Sequence, residues 1–506
     1  MHKSSLVKLF LLFVFCYSTL YTQPDGFVSR SGTNLVLDDK PFYSVGVNSY
    51  FLQNLAAYGD TNHLDEIFGE AKLLGVTTIR TWGFFDSADS SNAAVIQYAP
   101  GKFSEKGLKA LDLVISKARE YSIRLIIPLV NNWEDYGGMN QYVSWYSHMF
   151  PTSTNTFQKV EQKIIEGAEG RNYRFFISSS HTHDDFYTNT TIKQWYRDYA
   201  SMLLNRVNTV TNVRYEDETA ILAWELANEA RSSDRTGTIV ANWMAEMSTF
   251  IKSIDQNHLI SSGEEGLDVT SSPYSNIESY NNQAWLFNGS GGSSFERNIL
   301  LPDIDIGSIH CYPDNWGLDG NQAVRWLTDH NRIAIDARKP LILGEVGKLF
   351  KQNFFFTSLF NEAFVNNLSG VLLWQFVYDW RKNNDGYAFA YPADTTICEL
   401  IKLYSERFNR RREGDYGLPS TTELFQNYPN PFNVATIIPF NVALPTTVRL
   451  QVFNSSGQLI ATLLSDEILA GRHLVLFDAT DLSTGVYFVQ LSFPGFVQSR
   501  KTLFLK

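Results

Sequence analysis

The chain has 506 residues, of which 44% are hydrophobic and only 19% are charged. This composition excludes an intrinsically disordered chain and a long coiled coil, because both carry more charge. The formal net charge is −11 and no basic block of five or more residues occurs, which argues against a protein that tracks nucleic-acid phosphates. The length predicts two or three folded units, one of them large.

The first residues have the pattern of an export signal. Lys3 and Lys8 supply a basic start, and the apolar run at 9–15 (LFLLFVF) is too short to span a bilayer. We therefore predict a signal peptide over residues 1–22.

Two cysteines remain after that segment, Cys311 and Cys398. Two cysteines in so long an exported chain do not make a disulfide framework. We expect both to be buried as small apolar residues, and a single bridge between them is the alternative.

From about residue 25 to residue 412, short apolar runs alternate with segments of helical periodicity. The strand candidates are residues 42–47, 77–81, 124–130, 220–224, 259–262, 306–310, 341–344 and 371–374. The helical segments are residues 64–74, 107–121, 192–209, 240–254, 323–337 and 354–366. Continuously apolar strands are typical of a parallel sheet covered on both faces. Eight such units predict an α/β fold, a (β/α)8 TIM barrel over residues 23–412.

Three segments depart from this rhythm. Residues 146–186 combine polar loops with a predicted helical piece at 157–168, and they are typical of an insertion on a loop at the barrel mouth. Residues 413–423 are rich in Gly, Ser and Thr and are predicted to be a linker. The last unit, residues 424–506, is predicted to be a small all-β sandwich. Its strand candidates are residues 436–442, 448–453, 459–464, 473–477 and 485–491.

Polar and aromatic side chains follow nearly every predicted barrel strand. The carboxyl ends of barrel strands surround one mouth, so these side chains are expected to lie together. They are Asn48, Arg80, Trp82, Asn131, Asn132, Trp133, Asn228, Glu229, Glu264, Glu265, His310, Tyr312, Glu345, Trp374 and Gln375. Aromatic faces suit sugar rings and hydrogen-bonding groups suit hydroxyls. We therefore predict a carbohydrate site at this mouth.

Two carboxylates stand out in that set. Glu229 follows the fourth predicted strand, and Glu345 follows the seventh directly. Hydrolysis of a glycosidic bond generally needs such a pair, one to protonate the leaving oxygen and one to attack the anomeric carbon or activate water. Strands four and seven lie three strands apart around the rim, so the two side chains are expected to face each other across the mouth.

Eight motifs, in chain order, resemble glycoside hydrolase family 5. They are GVNSYF (46–51), TIRTWGF (78–84), LVNNWEDYGGMNQY (129–142), HDDFYTN (183–189), WELANEAR (224–231), HCYPDNW (310–316), LGEVGK (343–348) and LLWQF (372–376). Within that family they are most similar to endo-β-1,4-mannanases of the plant and fungal type, over about residues 25–405. Ala230 stands where the family usually has proline.

This resemblance implies a retaining mechanism with Glu229 as acid/base and Glu345 as nucleophile. The mechanism requires a protonated Glu229 beside a charged Glu345. The resemblance also implies a substrate-binding set, in which some members act through the two glutamates. That set is Asn228 at the sugar 2-hydroxyl, Arg80 and Tyr312 beside Glu345, His310 beside the proton donor, Trp374 beneath the attacked sugar, Trp82 and Trp133 along the cleft, and Arg231 on the leaving-group side. No cofactor and no metal are implied.

The tail resembles the C-terminal sorting domain of type IX secretion. The resemblance rests on LFQNYPNPFN (424–433), GQLIATLL (457–464), FDATDLSTGVYFVQL (477–491) and the final KTLFLK. It implies a protein exported across an outer membrane, with the type IX secretion machinery as a partner. The resemblance of the barrel to mannanases implies a β-mannan polysaccharide as the substrate. We expect no nucleic-acid partner and a monomer.

Two alternatives stay open at this point. A relative of the same family that cuts β-1,4-glucan would use the same two glutamates. A non-catalytic surface protein that binds glycans is the second alternative, and the retention of both Glu229 and Glu345 beside Asn228 argues against it.

Overall fold

The computed structural model describes residues 26–150, 161–166, 172–177, 181–269, 280–349, 352–379, 385–412, 421–443, 446–468 and 471–506. The predicted signal peptide and most of the predicted linker lie outside the described residues. Across the part of the chain that the structure describes, no helix combines the length and the apolar character needed to cross a bilayer.

Eight parallel strands form a barrel, and the predicted fold class is confirmed. They are β1 (Ser44–Asn48), β2 (Thr78–Arg80), β3 (Arg124–Pro128), β4 (Ile221–Glu225), β5 (Leu259–Ser261), β6 (Gly307–Cys311), β7 (Leu341–Val346) and β8 (Gly370–Leu373). Parallel ladders connect them in the order β5-β4-β3-β2-β1-β8-β7-β6. A bridge between Ser261 and Ile306 joins β5 to β6 and closes the ring. Every residue of these strands is buried, which explains why most of their residues are apolar.

Helices follow the strands and cover the outside of the barrel. They are Leu52–Ala57, Thr61–Leu73, Glu105–Tyr121, Gly138–Met149, Asp185–Thr188, Thr190–Leu204, Thr238–Ile254, Phe295–Asn298, Pro313–Trp316, Gly320–Asp336, Gln352–Val365 and Thr395–Arg412. The helix Glu105–Tyr121 shows how local sequence sets the ends: the Ser104 side chain accepts the N–H of Gly107, and Ser122 adopts a left-handed conformation after the last turn. Its predicted apolar stripe is buried, namely Leu108, Leu111, Val114, Ile115 and Ala118.

One predicted helix is too long. The segment 192–209 was expected to be helical throughout, yet the helix ends at Leu204. Beyond it, the side-chain oxygen of Asn208 accepts the backbone N–H groups of Val210 and Thr211 at 2.8 and 3.1 Å. Such a turn competes with the helix for the same backbone donors.

The insertion also differs from the prediction. Residues 161–166 and 172–177 form two antiparallel strands, so the predicted helical piece at 157–168 is wrong over 161–166. Ile164 and Ile165 are β-branched, a residue type that favours strands. Their pairing partners are Arg174 and Tyr173, which lie outside the window from which a helix was inferred.

A small sheet closes the end of the barrel opposite the strand carboxyl ends. It consists of Ser29–Ser31, Asn34–Leu37 and Lys40–Phe42. Its apolar side chains, including Leu35 and Phe42, pack in one buried cluster with barrel residues. A further pair of short strands, Gln97–Ala99 and Lys102–Phe103, lies after β2.

The tail contains only strands after the helix Thr395–Arg412 within the residues described there. They are β9 (Glu423–Leu424), β10 (Ala435–Val442), β11 (Thr446–Asn454), β12 (Leu459–Ile468), β13 (Gly471–Asp478), β14 (Gly485–Phe493) and β15 (Phe496–Phe504). They form two antiparallel sheets, β9-β10-β13 and β12-β11-β14-β15. Phe440 of one sheet and Leu450 of the other belong to one buried cluster, so the sheets pack face to face. β9 and β15 were not predicted.

The two cysteines are both free and both buried. The expectation of burial is confirmed, and the alternative of a bridge between Cys311 and Cys398 is wrong.

Candidate active site

The two glutamates singled out by the sequence share one cavity at the carboxyl ends of the barrel strands. Glu345 lies within β7, and Glu229 comes four residues after β4 ends. The cavity measures about 470 Å³. Its lining residues are Tyr50, Trp82, Trp133, Asp135, Tyr136, Asn228, Glu229, Tyr312, Asn315, Glu345, Leu349, Trp374, Asp385 and Tyr387.

The two carboxylates are close neighbours. One oxygen of Glu229, one oxygen of Glu345 and one ring nitrogen of His310 lie within 4.8 Å of one another. The His310 Nδ1 atom is 2.6 Å from Glu229 Oε1 and 3.7 Å from Glu345 Oε2. His310 is fully buried in β6, so it reaches both carboxylates from below the cavity rather than from its surface.

Glu345 is held by two donors. The Arg80 Nη1 atom lies 2.5 Å from Glu345 Oε1, and the Tyr312 hydroxyl donates to Oε2. Arg80 is itself buried, and its Nε atom donates to Glu225 Oε1 at 2.9 Å. One guanidinium therefore serves two buried carboxylates.

The same guanidinium orients the Asn228 amide. Arg80 Nη2 donates to the Asn228 side-chain oxygen at 2.7 Å, and the Asn228 amide nitrogen donates to Asn131 at 3.0 Å. These contacts distinguish the oxygen from the nitrogen of the Asn228 amide. A side chain with a fixed donor and acceptor direction is suited to recognise one hydroxyl of a substrate.

The backbone at Glu229 is in the left-handed region, with a φ of 54°. This conformation is unfavourable for a residue with a side chain and is found where surrounding contacts enforce it. The Glu229 N–H donates to the Gly263 carbonyl at 2.7 Å. Gly263 has a φ of 69°, and a Cβ there would lie 2.4 Å from the Glu225 Cγ atom. Only glycine allows this close approach, which locks the Glu229 backbone in place.

The electrostatics of the pair are asymmetric. Burial raises the pKa of Glu345, and the positive charges of His310 and Arg80 oppose that rise without cancelling it. Burial acts in the same way on Glu229, but the hydrogen bond and charge of His310 prevail and lower the pKa of Glu229 to about 2. For His310, burial lowers the pKa, and the two carboxylates more than compensate and raise it.

These shifts favour an ionised Glu229 beside a charged His310, and they order the two glutamates in the reverse of the expected way. Bond cleavage was expected to need a protonated Glu229 beside a charged Glu345. Because His310 Nδ1 and Glu229 Oε1 are only 2.6 Å apart, the proton can pass to Glu229 without changing the charge of the pair.

Three tryptophans were expected to contact substrate, and all three line the cavity. Trp374 stacks on Tyr50, with ring centroids 5.3 Å apart and planes at 4°. Trp82 is almost fully buried and packs against the Tyr50 ring, with ring centroids 4.8 Å apart. Trp133 does more than was expected, because its indole N–H donates to Glu229 Oε2 at 2.5 Å.

Three other predicted residues do not line the cavity. Arg80 and His310 lie beneath it and contact the glutamates. Arg231 is paired with Glu265, with an Nε–Oε2 distance of 2.6 Å, and its guanidinium lies over the Trp133 ring at 5.2 Å. Arg231 is therefore placed beside the cavity wall on the side of Trp133.

Glu264 was grouped with the mouth residues, and the structure corrects this. Its carboxylate accepts from Ser293 at 3.0 Å and from Asn298 at 2.9 Å, away from the cavity. Burial raises its pKa to about 7. Glu264 is thus a buried carboxyl behind the mouth rather than a wall residue.

Sequence reasoning missed several cavity residues. They are Tyr50, Asp135, Tyr136, Asn315, Leu349, Asp385 and Tyr387. Tyr50 and Tyr136 lie within quoted motifs, so their positions were visible but carried no assigned role. Asp385 and Tyr387 lie beyond β8, in a segment with neither periodicity nor a motif.

The site offers a weak fit to a metal ion. Glu229, His310 and Glu345 present ligand atoms within 4.8 Å, but the Arg80 guanidinium already lies on Glu345. A cation placed there would be repelled by that buried positive charge. The arrangement is better matched to acid, base and nucleophile chemistry.

A parallel barrel with two opposed glutamates, a buried arginine and an aromatic cavity at its mouth defines a glycoside hydrolase. The chain matches the family described as GH family 5 beta-mannosidase-like over residues 25–359. It belongs to that family. Residues 426–504 match a secretion system C-terminal sorting domain.

Relatives and solved structures agree with this assignment. The chain is 37% identical over 418 residues to mannan endo-1,4-beta-mannosidase 1 of Oryza sativa subsp. japonica, covering 77% of this chain and 89% of the relative. It is 35% identical over 406 residues to mannan endo-1,4-beta-mannosidase 3 of Arabidopsis thaliana, covering 76% and 90%. The structure of the endo-beta-1,4-mannanase from Thermotoga petrophila superposes with a TM-score of 0.67 at 26% identity, covering 92% of this chain and 97% of that chain. The endo-1,4-beta-mannanase from Rhizomucor miehei gives 0.62 at 29%, covering 76% and 100%.

Proposed function

We propose that this glycoside hydrolase is a secreted, retaining endo-β-1,4-mannanase in which Glu345 is the nucleophile and Glu229 the acid/base. The observation that carries the mechanism is the spacing of the two carboxylates, whose nearest oxygens lie within 4.8 Å. Retaining enzymes hold their carboxyl groups about 5–5.5 Å apart, whereas inverting enzymes leave room for a water at about 6.5–9.5 Å.

In the first step, a Glu345 oxygen attacks the anomeric carbon while the bond from that carbon to the leaving oxygen breaks. Glu229 gives its proton to the leaving oxygen, and a covalent glycosyl-enzyme forms. Arg80 and Tyr312 hold the Glu345 carboxylate in one orientation. This fixed geometry lowers the barrier by removing rotational freedom before the reaction.

In the second step, water replaces the leaving group. Glu229, now ionised, takes a proton from the water, and the water oxygen attacks the anomeric carbon. The bond to Glu345 breaks and the carboxylate is restored. The pair gave up its one proton in the first step, so His310 is neutral when Glu229 accepts the proton of water, and this proton restores the His310–Glu229 pair for the next turnover.

The remaining wall residues bind sugar in this proposal. Trp374 lies beneath the attacked sugar, and Asn228 bonds the 2-hydroxyl of that sugar. Trp82, with Tyr50 beside it, extends the aromatic surface, whereas Trp133 and Arg231 serve the leaving-group side. Transition states of this kind carry positive charge on the sugar ring, which electron-rich aromatic faces stabilise.

The substrate is inferred from relatives rather than from a contact. Several relatives that share at least 33% identity bear mannan endo-1,4-beta-mannosidase in their names. We infer the same substrate class here, namely β-1,4-linked mannan, galactomannan or glucomannan. A β-1,4-glucan is the competing substrate, because the two glutamates would cleave it by the same steps.

The sorting domain match supports export. We infer that the type IX secretion machinery recognises the tail and delivers the enzyme to the cell surface or the medium. There the enzyme meets polysaccharides that are too large to enter the cell.

The test uses the purified full chain with β-mannan and with a soluble β-1,4-glucan. Reducing ends and chain-length distribution are measured for the wild type, Glu229→Gln and Glu264→Gln. Glu264→Gln is a matched control, because it changes a buried glutamate of the same barrel end that is bonded away from the cavity.

Activity on mannan with internal cuts, lost in Glu229→Gln and kept in Glu264→Gln, supports the proposal. Preference for the glucan would keep the mechanism and overturn the substrate. Binding of mannan without any hydrolysis would favour a glycan-binding protein. A product whose anomeric configuration is inverted at first release would overturn the retaining mechanism.

A further inference from the structure

Trp374 is held at its edge by a carboxylate from a different segment of the chain. The indole N–H donates to Asp385 Oδ2 at 3.0 Å. The same oxygen accepts the side-chain amide of the neighbouring Gln375 at 2.7 Å. Its partner oxygen, Oδ1, accepts the backbone N–H of Tyr387 at 2.9 Å. The carboxylate is therefore anchored to its own segment and bonded to two consecutive side chains that follow β8.

We infer that Asp385 is a positioning residue, which sets the in-plane orientation of the Trp374 indole at the floor of the cavity. This inference rests on the proposed function, in which Trp374 lies beneath the attacked sugar. The carboxylate acts on the reaction through Trp374 and is not itself required to touch the reacting atoms.

Stacking on Tyr50 fixes only part of the position of the Trp374 ring. Tyr50 lies parallel to Trp374, at 5.3 Å and 4°. Stacked rings constrain the tilt of one plane against another but allow sliding within the plane, because the attraction is broad and non-directional in that plane. A hydrogen bond to the indole N–H is directional. Tyr50 and Asp385 thus constrain different motions of the same ring.

The position of Trp374 affects the orientation of Glu345, the proposed nucleophile, as well as the floor of the cavity. Tyr312 lies edge-on to the Trp374 ring, at 6.5 Å and 78°, and its hydroxyl donates to Glu345. A rotated indole would change the packing of the residue that orients the nucleophile. A displacement of about 1 Å at such a site can lower the rate by about 100-fold.

Asp385 lies outside the packed core, so its substitution should leave the protein folded. It is exposed and lies at the cavity wall, whereas the barrel core beneath it is packed from other residues. Substitution removes the acceptor of the buried Gln375 amide, so the free energy of unfolding of each variant is measured beside its kinetics to separate an effect on stability from an effect on the site.

The first experiment is a double-mutant cycle on the purified full chain. The variants are Asp385→Ala, Trp374→Phe and the two together, assayed on β-mannan and on β-1,4-glucan beside the wild type. We expect Asp385→Ala to lower kcat by roughly tenfold with KM within about twofold, because a transition-state contact is disturbed more than ground-state binding. In the Trp374→Phe background, which has no indole N–H, the added loss should be below about twofold. Independent, multiplying losses would overturn the inference.

Asp385→Asn separates position from charge. It keeps an oxygen that can accept from Trp374 and Gln375 but loses the charge and the acceptor of the Tyr387 N–H. We therefore expect a loss of kcat that is smaller than that of Asp385→Ala and within about threefold of the wild type. A loss in Asp385→Asn as large as in Asp385→Ala would overturn positioning by hydrogen bonding.

A second measurement does not depend on the substrate. The indole ¹H–¹⁵N resonance of Trp374 is identified by its absence in Trp374→Phe. In Asp385→Ala this resonance should move and its exchange with solvent should accelerate, since the donor has lost its acceptor. An unchanged resonance would overturn the inference. If instead the resonance responds and no glycan is hydrolysed by the wild type, the proposed function fails and the contact stands.

Discussion

The guanidinium of Arg80 joins Glu225 to Glu345. Its Nε atom lies 2.9 Å from Glu225 Oε1, and its Nη1 atom lies 2.5 Å from Glu345 Oε1. All three side chains are buried, so their charges are poorly screened by solvent. The charge of Glu345, the proposed nucleophile, therefore depends on a carboxylate that does not line the cavity.

Replacing Glu225 by Gln should change the pH dependence of the enzyme. Without its charge, Arg80 acts on Glu345 alone and lowers the pKa of Glu345. Because the nucleophile must be ionised, the acidic limb of kcat/KM should move to lower pH. The measurement is a pH–rate profile from acid to neutral pH. An acidic limb that stays in place or moves upward would contradict this charge sharing.

The same change should destabilise the fold. Removing one partner of a buried ion pair commonly costs about 3–5 kcal/mol, because the other charge is left undercompensated. Arg80 retains Glu345, so the lower end of that range is expected in urea unfolding. A variant as stable as the wild type would mean that Glu345 alone balances Arg80.

Glu345→Ala should abolish hydrolysis while the fold is kept. The side chain contacts Arg80, Tyr312 and His310, so the variant also loses a buried partner of Arg80, and its folding is verified by circular dichroism. Residual activity should be lower by at least about 1,000-fold, as for other covalent nucleophiles. Added azide should restore cleavage of an activated glycoside and give a product of inverted configuration. Unchanged turnover would show that Glu345 is not the nucleophile.

Trp133→Phe should shift the alkaline limb. The Trp133 N–H donates to Glu229 Oε2 and stabilises the ionised carboxylate. Its removal raises the pKa of Glu229 and favours the state of the His310–Glu229 pair in which Glu229 holds the shared proton. The pair then keeps that proton to higher pH, and the alkaline limb of kcat/KM should move upward. The pH–rate profile again provides the measurement. A limb that moves down would indicate that Trp133 stabilises the protonated acid instead.

Asp86→Asn should alter stability in a pH-dependent way. Burial raises the pKa of Asp86 to about 8, against a hydrogen bond from Gln97, whereas its ordinary value is 3.8. A raised pKa gives a stabilising contribution that is complete below the unfolded value and is lost as pH rises through the folded value. The variant cannot ionise at this position. Its free energy of unfolding, relative to that of the wild type, should therefore rise between about pH 4 and pH 8, since each pKa unit corresponds to about 1.4 kcal/mol.

Urea unfolding at pH 4, 6 and 8 tests this, because these values span the interval between the ordinary pKa of 3.8 and the raised pKa of about 8. The difference in unfolding free energy between Asp86→Asn and the wild type should grow with pH, and by at least about 1 kcal/mol over the range. A constant difference at all three pH values would show that Asp86 ionises normally in the folded protein.

Much of the barrel was predictable because the local sequence is sufficient to identify its strands. A strand buried on both faces is mostly apolar, so β3, in which Leu125, Ile126 and Ile127 follow one another, is visible without its neighbours. The same holds for the stripe of the helix Glu105–Tyr121. The strands at 161–166 and 172–177 were missed because each pairs with the other. Pairing between two segments cannot be read from the residue pattern of either segment alone.

The features of the site also fall into two groups, those that the sequence determines and those that only the tertiary structure decides. By itself, the sequence determined that Glu229 and Glu345 follow strands of one barrel, since the order of strands decides which end of the sheet a residue reaches. Only the tertiary structure decided that Arg80 serves Glu225 as well as Glu345, that Trp133 bonds the acid rather than merely stacking, and that Asp385 holds Trp374. Each of these contacts depends on distances and angles that residue order does not encode, even that of Trp374 with Asp385, which lies only 11 residues further along the chain.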